Sequence, residues 1–166
     1  MTVEEAIKTA IEYETRVRDL YAGALKKATD DNGRRIFKLM SDEEQHHLDY
    51  LYEKLATWQA SGELTIEGLR TALPSKNRIE EGARAMKVEV GKKDYGVEIQ
   101  MLEKALEAEK VTSAFYRKMV SEIPGEAQKM FSRFLEIEDG HLALVQAELD
   151  SVSRSGFWLG VQEFEV

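Results

Sequence analysis

The chain of 166 residues has no cysteine. That removes disulfides, thiol catalysis, iron–sulfur ligation and cysteine-based zinc sites at a stroke. Only two prolines occur, so little interrupts long helices. No apolar run reaches the ~18 residues of a membrane span, and no charged-then-apolar leader opens the sequence. The expected setting is therefore cytoplasmic, with no membrane partner. Positive charge is also short: 23 Lys and Arg face 31 Asp and Glu, for a formal net charge of -8. This balance argues against a nucleic-acid surface and suits a chain that attracts cations. Only three histidines are present.

What is plentiful is charge arranged with helical periodicity. From Ile36 to Trp58, steps of three and four place Ile36, Met40, Glu44, His47, Leu51, Leu55 and Trp58 on one face. Five of these are an ordinary apolar stripe. Glu44 and His47 interrupt it one turn apart, and burying such groups is costly unless something pairs with them. A metal ion is the obvious partner. Glu43 and His46 have the same spacing, but their face runs Leu39, Glu43, His46, Tyr50, Glu53, Thr57 and is mostly polar. That pair is read as facing solvent, as are the acids Glu53, Glu103 and Glu107.

The other helices follow the same plan. Thr2 and Glu5 form a capping box for a first helix with Val3, Ile7, Ala10, Glu14, Val17, Tyr21, Leu25 and Ala28 inward. A turn is expected over Asp30–Gly33. Ser61-Gly62 closes the second helix, and a long crossover is expected over 62–93. Within it, Leu64, Ile66, Leu69 and Leu73 suggest a short helix, and a second helical piece falls around Arg78–Val90. Asp94 is placed to cap a third helix that ends before Pro124-Gly125. Its inner face carries Ala105, Glu109, Thr112, Tyr116 and Val120. The last helix turns Met130, Phe134, Glu138, His141, Val145, Leu149 and Val152 inward.

The chain also repeats itself. A shift of 95 positions puts Glu14 on Glu109 and Tyr21 on Tyr116; a shift of 94 puts Glu44 on Glu138 and His47 on His141. Each half is thus a helical hairpin with one acid on its first helix and Glu-x-x-His on its second. The predicted fold is all-α: two antiparallel hairpins joined by a long crossover in one domain, 1–153, followed by a short aromatic tail, 154–166. Four buried glutamates without counter-charge would repel one another. Two divalent cations balance them, and two neutral imidazoles add nitrogen donors. The count favours two metals, with Glu44 and Glu138 bridging and Glu14 and Glu109 at the ends. Without sulfur, iron or manganese fits best, and zinc competes.

These residues closely resemble the ferritin-like di-iron carboxylate superfamily, and within it the rubrerythrin-type proteins. The ligand set of such bundles is a known pattern. The resemblance spans the four long helices and includes Glu14-x6-Tyr21, Glu109-x6-Tyr116 and both Glu-x-x-His motifs. It implies a ferritin-like four-helix bundle holding two iron ions at Glu14, Glu44, His47, Glu109, Glu138 and His141. These irons would cycle between ferrous and ferric states and react with hydrogen peroxide or dioxygen. Tyr21 and Tyr116 are the candidate redox side chains. The sequence departs from peroxidase rubrerythrins in two ways. Leu106 and Thr112 stand where an extra carboxylate would flank the third-helix ligand, and no Cys-x-x-Cys pair of a rubredoxin-like domain is present. Turnover would need an external electron-donor protein. The segment Gly156–Phe164 resembles the aromatic extension of some small relatives.

Three functions follow in order of preference. The first is a redox protein, an oxidoreductase with an external donor. The second is a ferroxidase that stores or passes on iron, and the third a bundle whose metal is structural or absent. Apolar surface at Phe157, Trp158 and 62–93 leads to the expectation of a homodimer.

Overall fold

The computed structural model describes residues 1–85, 95–156, 158 and 159. Among them are five helices and no strand: α1 (Val3–Lys27), α2 (Asp31–Ser61), α3 (Lys76–Ala85), α4 (Gly96–Glu122) and α5 (Gly125–Ser155). None of these helices is long and apolar enough to cross a membrane.

The capping box forms as the sequence indicates. The Thr2 hydroxyl accepts the Glu5 N–H at 3.1 Å, and the Glu5 carboxylate accepts the Thr2 N–H at 2.8 Å. The expected turn over Asp30–Gly33 is shorter than predicted. Asp30 is instead the N-cap of α2, accepting the Asn32 and Gly33 N–H groups, so Asp31, Asn32 and Gly33 already belong to the helix. A carboxylate cap is worth about 1 kcal/mol, enough to begin the helix early. Gly33 is small for a further reason: a Cβ there would meet Trp158 Cζ2 and Glu98 Cγ at 3.1 Å each. Glu98, buried near the start of α4, accepts the Thr29 and Asp30 N–H groups and ties the α1–α2 corner to α4.

Side-chain contacts fix the helix directions. Gln59 near the end of α2 donates to Glu4 at the start of α1, so these two run antiparallel. Tyr21 meets Glu109 while Tyr116 meets Glu14, so α1 and α4 are also antiparallel. A short corner at Ile123-Pro124 reverses α4 into α5. It follows that α2 and α4 point the same way, so the connection between them, of which residues 62–85 and 95 are described, must run back along the molecule. That is the long crossover.

The crossover differs from expectation in detail. Leu64, Leu69 and Leu73 are buried, yet no helix forms around them. The segment lies over one side of α2 and takes its hydrogen bonds there: Tyr50 Oη donates to the Ile66 carbonyl and Lys54 Nζ to Thr65 Oγ1. Helix α3 begins at Lys76, just after Pro74, and so starts before the predicted Arg78. Asp94, the expected cap of the third long helix, lies outside the described residues. Helix α5 runs to Ser155, two residues past the predicted domain edge at 153.

The core is in two halves. One contains Val17, Tyr21, Phe37, Met40, Leu102, Leu144 and Trp158. The other contains Ile7, Leu48, Leu51, Tyr116, Met119, Phe131 and Phe134. On every long helix the change from one half to the other falls at the polar interruption: near Glu14, at Glu44–His47, near Glu109 and at Glu138–His141. Each large side chain in these halves contributes roughly 1.5–3 kcal/mol on burial, which holds the polar layer between them in place. Trp158 packs edge-on against Phe37 and Tyr95 and is 7% exposed. Glu148 Oε2 accepts the Leu159 N–H nearby. Trp158 and the crossover leucines, two of the grounds for expecting a homodimer, are thus covered within one chain. Phe157 lies outside the described residues.

Candidate metal centre

Glu14, Glu44, His47, Glu109, Glu138 and His141, the six residues singled out in the sequence, meet in the layer between the two core halves. All are fully buried, at 0% exposure. The two imidazoles stack, with ring centroids 5.3 Å apart and planes within 3° of parallel. His47 Nδ1 faces Glu138 at 3.4 Å, Glu44 at 3.5 Å and Glu14 at 3.6 Å. His141 Nδ1 faces Glu44 at 2.9 Å, Glu109 at 3.5 Å and Glu138 at 3.7 Å.

The donor atoms fall into two overlapping groups. One is Glu14, Glu44, His47 and Glu138; the other is Glu44, Glu109, Glu138 and His141; within each, the donor atoms lie within 4.8 Å of one another. Glu44 and Glu138 belong to both groups, and Glu14 and Glu109 to one each. This is the arrangement two neighbouring cations with two bridging carboxylates would use. Ten buried nitrogen and oxygen atoms of these six residues have no hydrogen-bond partner. Orphaned polar atoms are rare inside proteins and costly, so a cluster of ten points to a missing positive partner. The donor set, oxygen and imidazole nitrogen without sulfur, is one that iron, manganese or zinc can use.

Without metal, protons must supply the charge balance. Burial, reinforced by the charges of Glu14 and Glu109, pushes Glu44 up to about 8. Burial and the same acidic neighbours push Glu138 well above the carboxylate range. Burial also opposes ionisation of Glu14, but the adjacent Glu44 carboxyl, the charge of His47 and the Tyr116 hydroxyl bring it down to about 2. Glu109 is likewise lowered against its burial, by His141, Glu138 and Tyr21. Burial alone would keep both imidazoles neutral; the surrounding acids override it and raise His47 and His141 well above 6.5. The pattern repeats the two-fold symmetry of the chain: the end acids are ionised and the shared acids hold protons.

Tyr21 and Tyr116 support the end acids across the repeat. Tyr21 Oη donates to Glu109 at 2.7 Å, and Tyr116 Oη donates to Glu14 at 2.6 Å, each tyrosine serving the other hairpin's acid. Burial and these acids hold both phenols well above their usual range, so they remain protonated donors.

One reading of the sequence is corrected here. His46, Glu53, Glu103 and Glu107 face solvent as expected, but Glu43 does not: it is 6% exposed. The crossover covers that side of α2, which the polar pattern of the helix itself does not reveal. Thr71 Oγ1 donates to Glu43 Oε2 at 2.9 Å, and the Ala72 N–H makes a short hydrogen bond to Oε1. Burial opposes the Glu43 charge, but His141 and these two donors hold its carboxyl down at about 2. Tyr50 and Lys54, on the same side of the helix, are buried by the same crossover. No protein-family model matches the chain, and no curated protein is a match for it.

Proposed function

We propose that this chain is a rubrerythrin-type, ferritin-like four-helix bundle that holds two iron ions and acts as a redox protein toward hydrogen peroxide or dioxygen. The observation that carries the reading is the pair of overlapping donor groups sharing Glu44 and Glu138, fully buried and rich in orphaned polar atoms. Glu14 and His47 would hold one ion, Glu109 and His141 the other, with Glu44 and Glu138 between them. Iron held there would supply redox chemistry toward a small oxidant, with an external donor protein as the source of electrons.

The chain's own residues set the conditions. Two four-residue donor groups already converge without metal, which would lower the reorganisation needed on binding. The Tyr21 and Tyr116 hydroxyls hold the end acids in place, and their contact with ligand oxygens makes them the candidates for passing an electron and a proton. The apolar halves above and below keep bulk water away from the charged layer. A cleft of about 440 Å³ between the crossover and α5 is lined by Thr71, Leu73, Arg133, Ile137 and Gly140. Its wall includes Thr71, whose hydroxyl holds Glu43, and Ile137, the chain neighbour of Glu138.

The test is to load the protein with ferrous iron under anaerobic conditions and mix it rapidly with peroxide or with dioxygen. Iron oxidation faster than that of free ferrous iron, lost in Glu138→Ala, is the expected result. Oxidation at the rate of free iron with either oxidant would overturn the redox reading. Rapid oxidation followed by uptake of many irons per chain would instead favour iron handling.

A further inference from the structure

Glu43 is an acid that the two-fold repeat does not explain. The position matching it in the second hairpin, 94 residues on, is Ile137. Both imidazoles nevertheless turn their second nitrogen toward this one carboxylate. His141 Nε2 lies 3.5 Å and His47 Nε2 3.8 Å from Glu43 Oε2. No other acid faces either Nε2 among the described ion pairs, whereas each Nδ1 faces three glutamates. A neutral imidazole has one ring nitrogen with a proton and one with a free lone pair. For Nδ1 to bind a metal, the proton must sit on Nε2 and find an acceptor there.

Building on the metal reading above, we propose that Glu43 is a single positioning residue shared by both histidines, clamped by the crossover so that each imidazole presents Nδ1 to the acid cluster. The two Nε2 distances, 3.5 and 3.8 Å, exceed a formed hydrogen bond of ~2.7–3.2 Å, so each imidazole would have to draw closer to Glu43 to donate to it with metal bound. The carboxylate itself is already anchored: Thr71 Oγ1 holds one oxygen and the Ala72 N–H the other. The crossover is thereby connected through one side chain to both metal positions. Glu43, His47 and His141 are also close enough to hold an ion of their own. That use is disfavoured, because it would take both Nε2 lone pairs while both Glu43 oxygens already accept hydrogen bonds.

The experiment uses zinc, a diamagnetic probe, with nitrogen-15-labelled histidine. Wild type, Glu43→Gln and Thr71→Val are compared by zinc titration and by the imidazole nitrogen signals of the loaded protein. Thr71→Val loosens the clamp while keeping the acid, and it serves if Glu43→Gln folds poorly. In wild type, His47 and His141 should both show protonated Nε2 and metal-bound Nδ1. Glu43→Gln should weaken both zinc positions together, by roughly 10–100-fold, and broaden or lose both Nε2–H signals, with a smaller parallel effect in Thr71→Val. Two zinc ions bound by Glu43→Gln with unchanged affinity and tautomers would overturn this inference alone. So would weakening of one position only, or a third zinc per chain lost in Glu43→Gln. Wild type that takes up no zinc would overturn the metal reading, and this inference with it.

Discussion

At pH 7 the buried cluster carries protons that two divalent cations, on the proposed reading, would have to displace. Glu44, pushed up to about 8, and Glu138, held higher than the ordinary carboxylate range, both keep theirs. Glu14 and Glu109 are ionised, and His47 and His141 are cationic. Two negative and two positive groups balance among these six residues, with the ionised Glu43 beside them in both states. With metal bound, all four glutamates are ionised and both imidazoles are neutral, so two divalent cations again balance them. Loading two ions near pH 7 should therefore release about four protons per chain. Ionising Glu44 at that pH costs only about 1–2 kcal/mol, which metal binding readily offsets. The direction of the pH effect follows. Glu44 and both histidines have raised values in the folded protein, so the stability they give is present at low pH and is lost as pH rises through those values. Metal binding strengthens over the same range. The increase in melting temperature on adding metal should therefore be larger at pH 8 than at pH 6. Calorimetry of zinc or anaerobic ferrous iron binding, repeated in buffers of different ionisation enthalpy, counts the protons directly. Release of fewer than one proton, or a melting shift that shrinks from pH 6 to pH 8, would refute the charge scheme.

Glu138→Gln replaces a buried acid that holds its proton with a neutral amide of similar shape. At pH 8 it should melt at or above the temperature of the metal-free wild type, yet gain almost nothing from added metal; a lower melting point without metal would contradict this. Tyr116→Phe removes the hydrogen bond to Glu14, which is worth about 1.5–3 kcal/mol because the acceptor is charged. It should weaken metal binding without changing the number of ions bound, as read by titration. Trp158→Ala opens a cavity beside Phe37, Tyr95 and Gly33 and should cost about 3–5 kcal/mol in urea unfolding. A loss below 1 kcal/mol would show that Trp158 does not belong to the core.

The centre was legible in the sequence because its residues break an otherwise regular rule. An acid or imidazole in an apolar stripe is conspicuous, and the same breaks recur at Glu14 and Glu109, Glu44 and Glu138, His47 and His141. Long helices, few prolines and the Thr2–Glu5 box made the rest of the helical frame equally readable. Residues whose surroundings come from distant chain were not. Glu43 shares its face with His46 and Glu53, both exposed, and only the crossover at Thr71 and Ala72 buries it. The crossover leucines have an apolar pattern, but their segment stays irregular and meets Tyr50 and Lys54 through Ile66 and Thr65 instead of forming a helix. Gly33 reads as a turn residue, while its real constraint is the indole of Trp158, which lies 125 positions further along the sequence. Helix periodicity reports which face is buried by neighbouring helices, and it is silent about faces covered by irregular chain.

The central claim is that one chain holds two metal ions between Glu14, Glu44, His47, Glu109, Glu138 and His141. The most direct measurement is the number of ferrous ions bound per chain at equilibrium under anaerobic conditions, in wild type and in Glu44→Ala. Two per wild-type chain is the expected result, with both weakened in Glu44→Ala because that carboxylate belongs to both donor groups. A wild-type chain that binds none or one, or a Glu44→Ala chain that still binds two with wild-type affinity, would contradict the account.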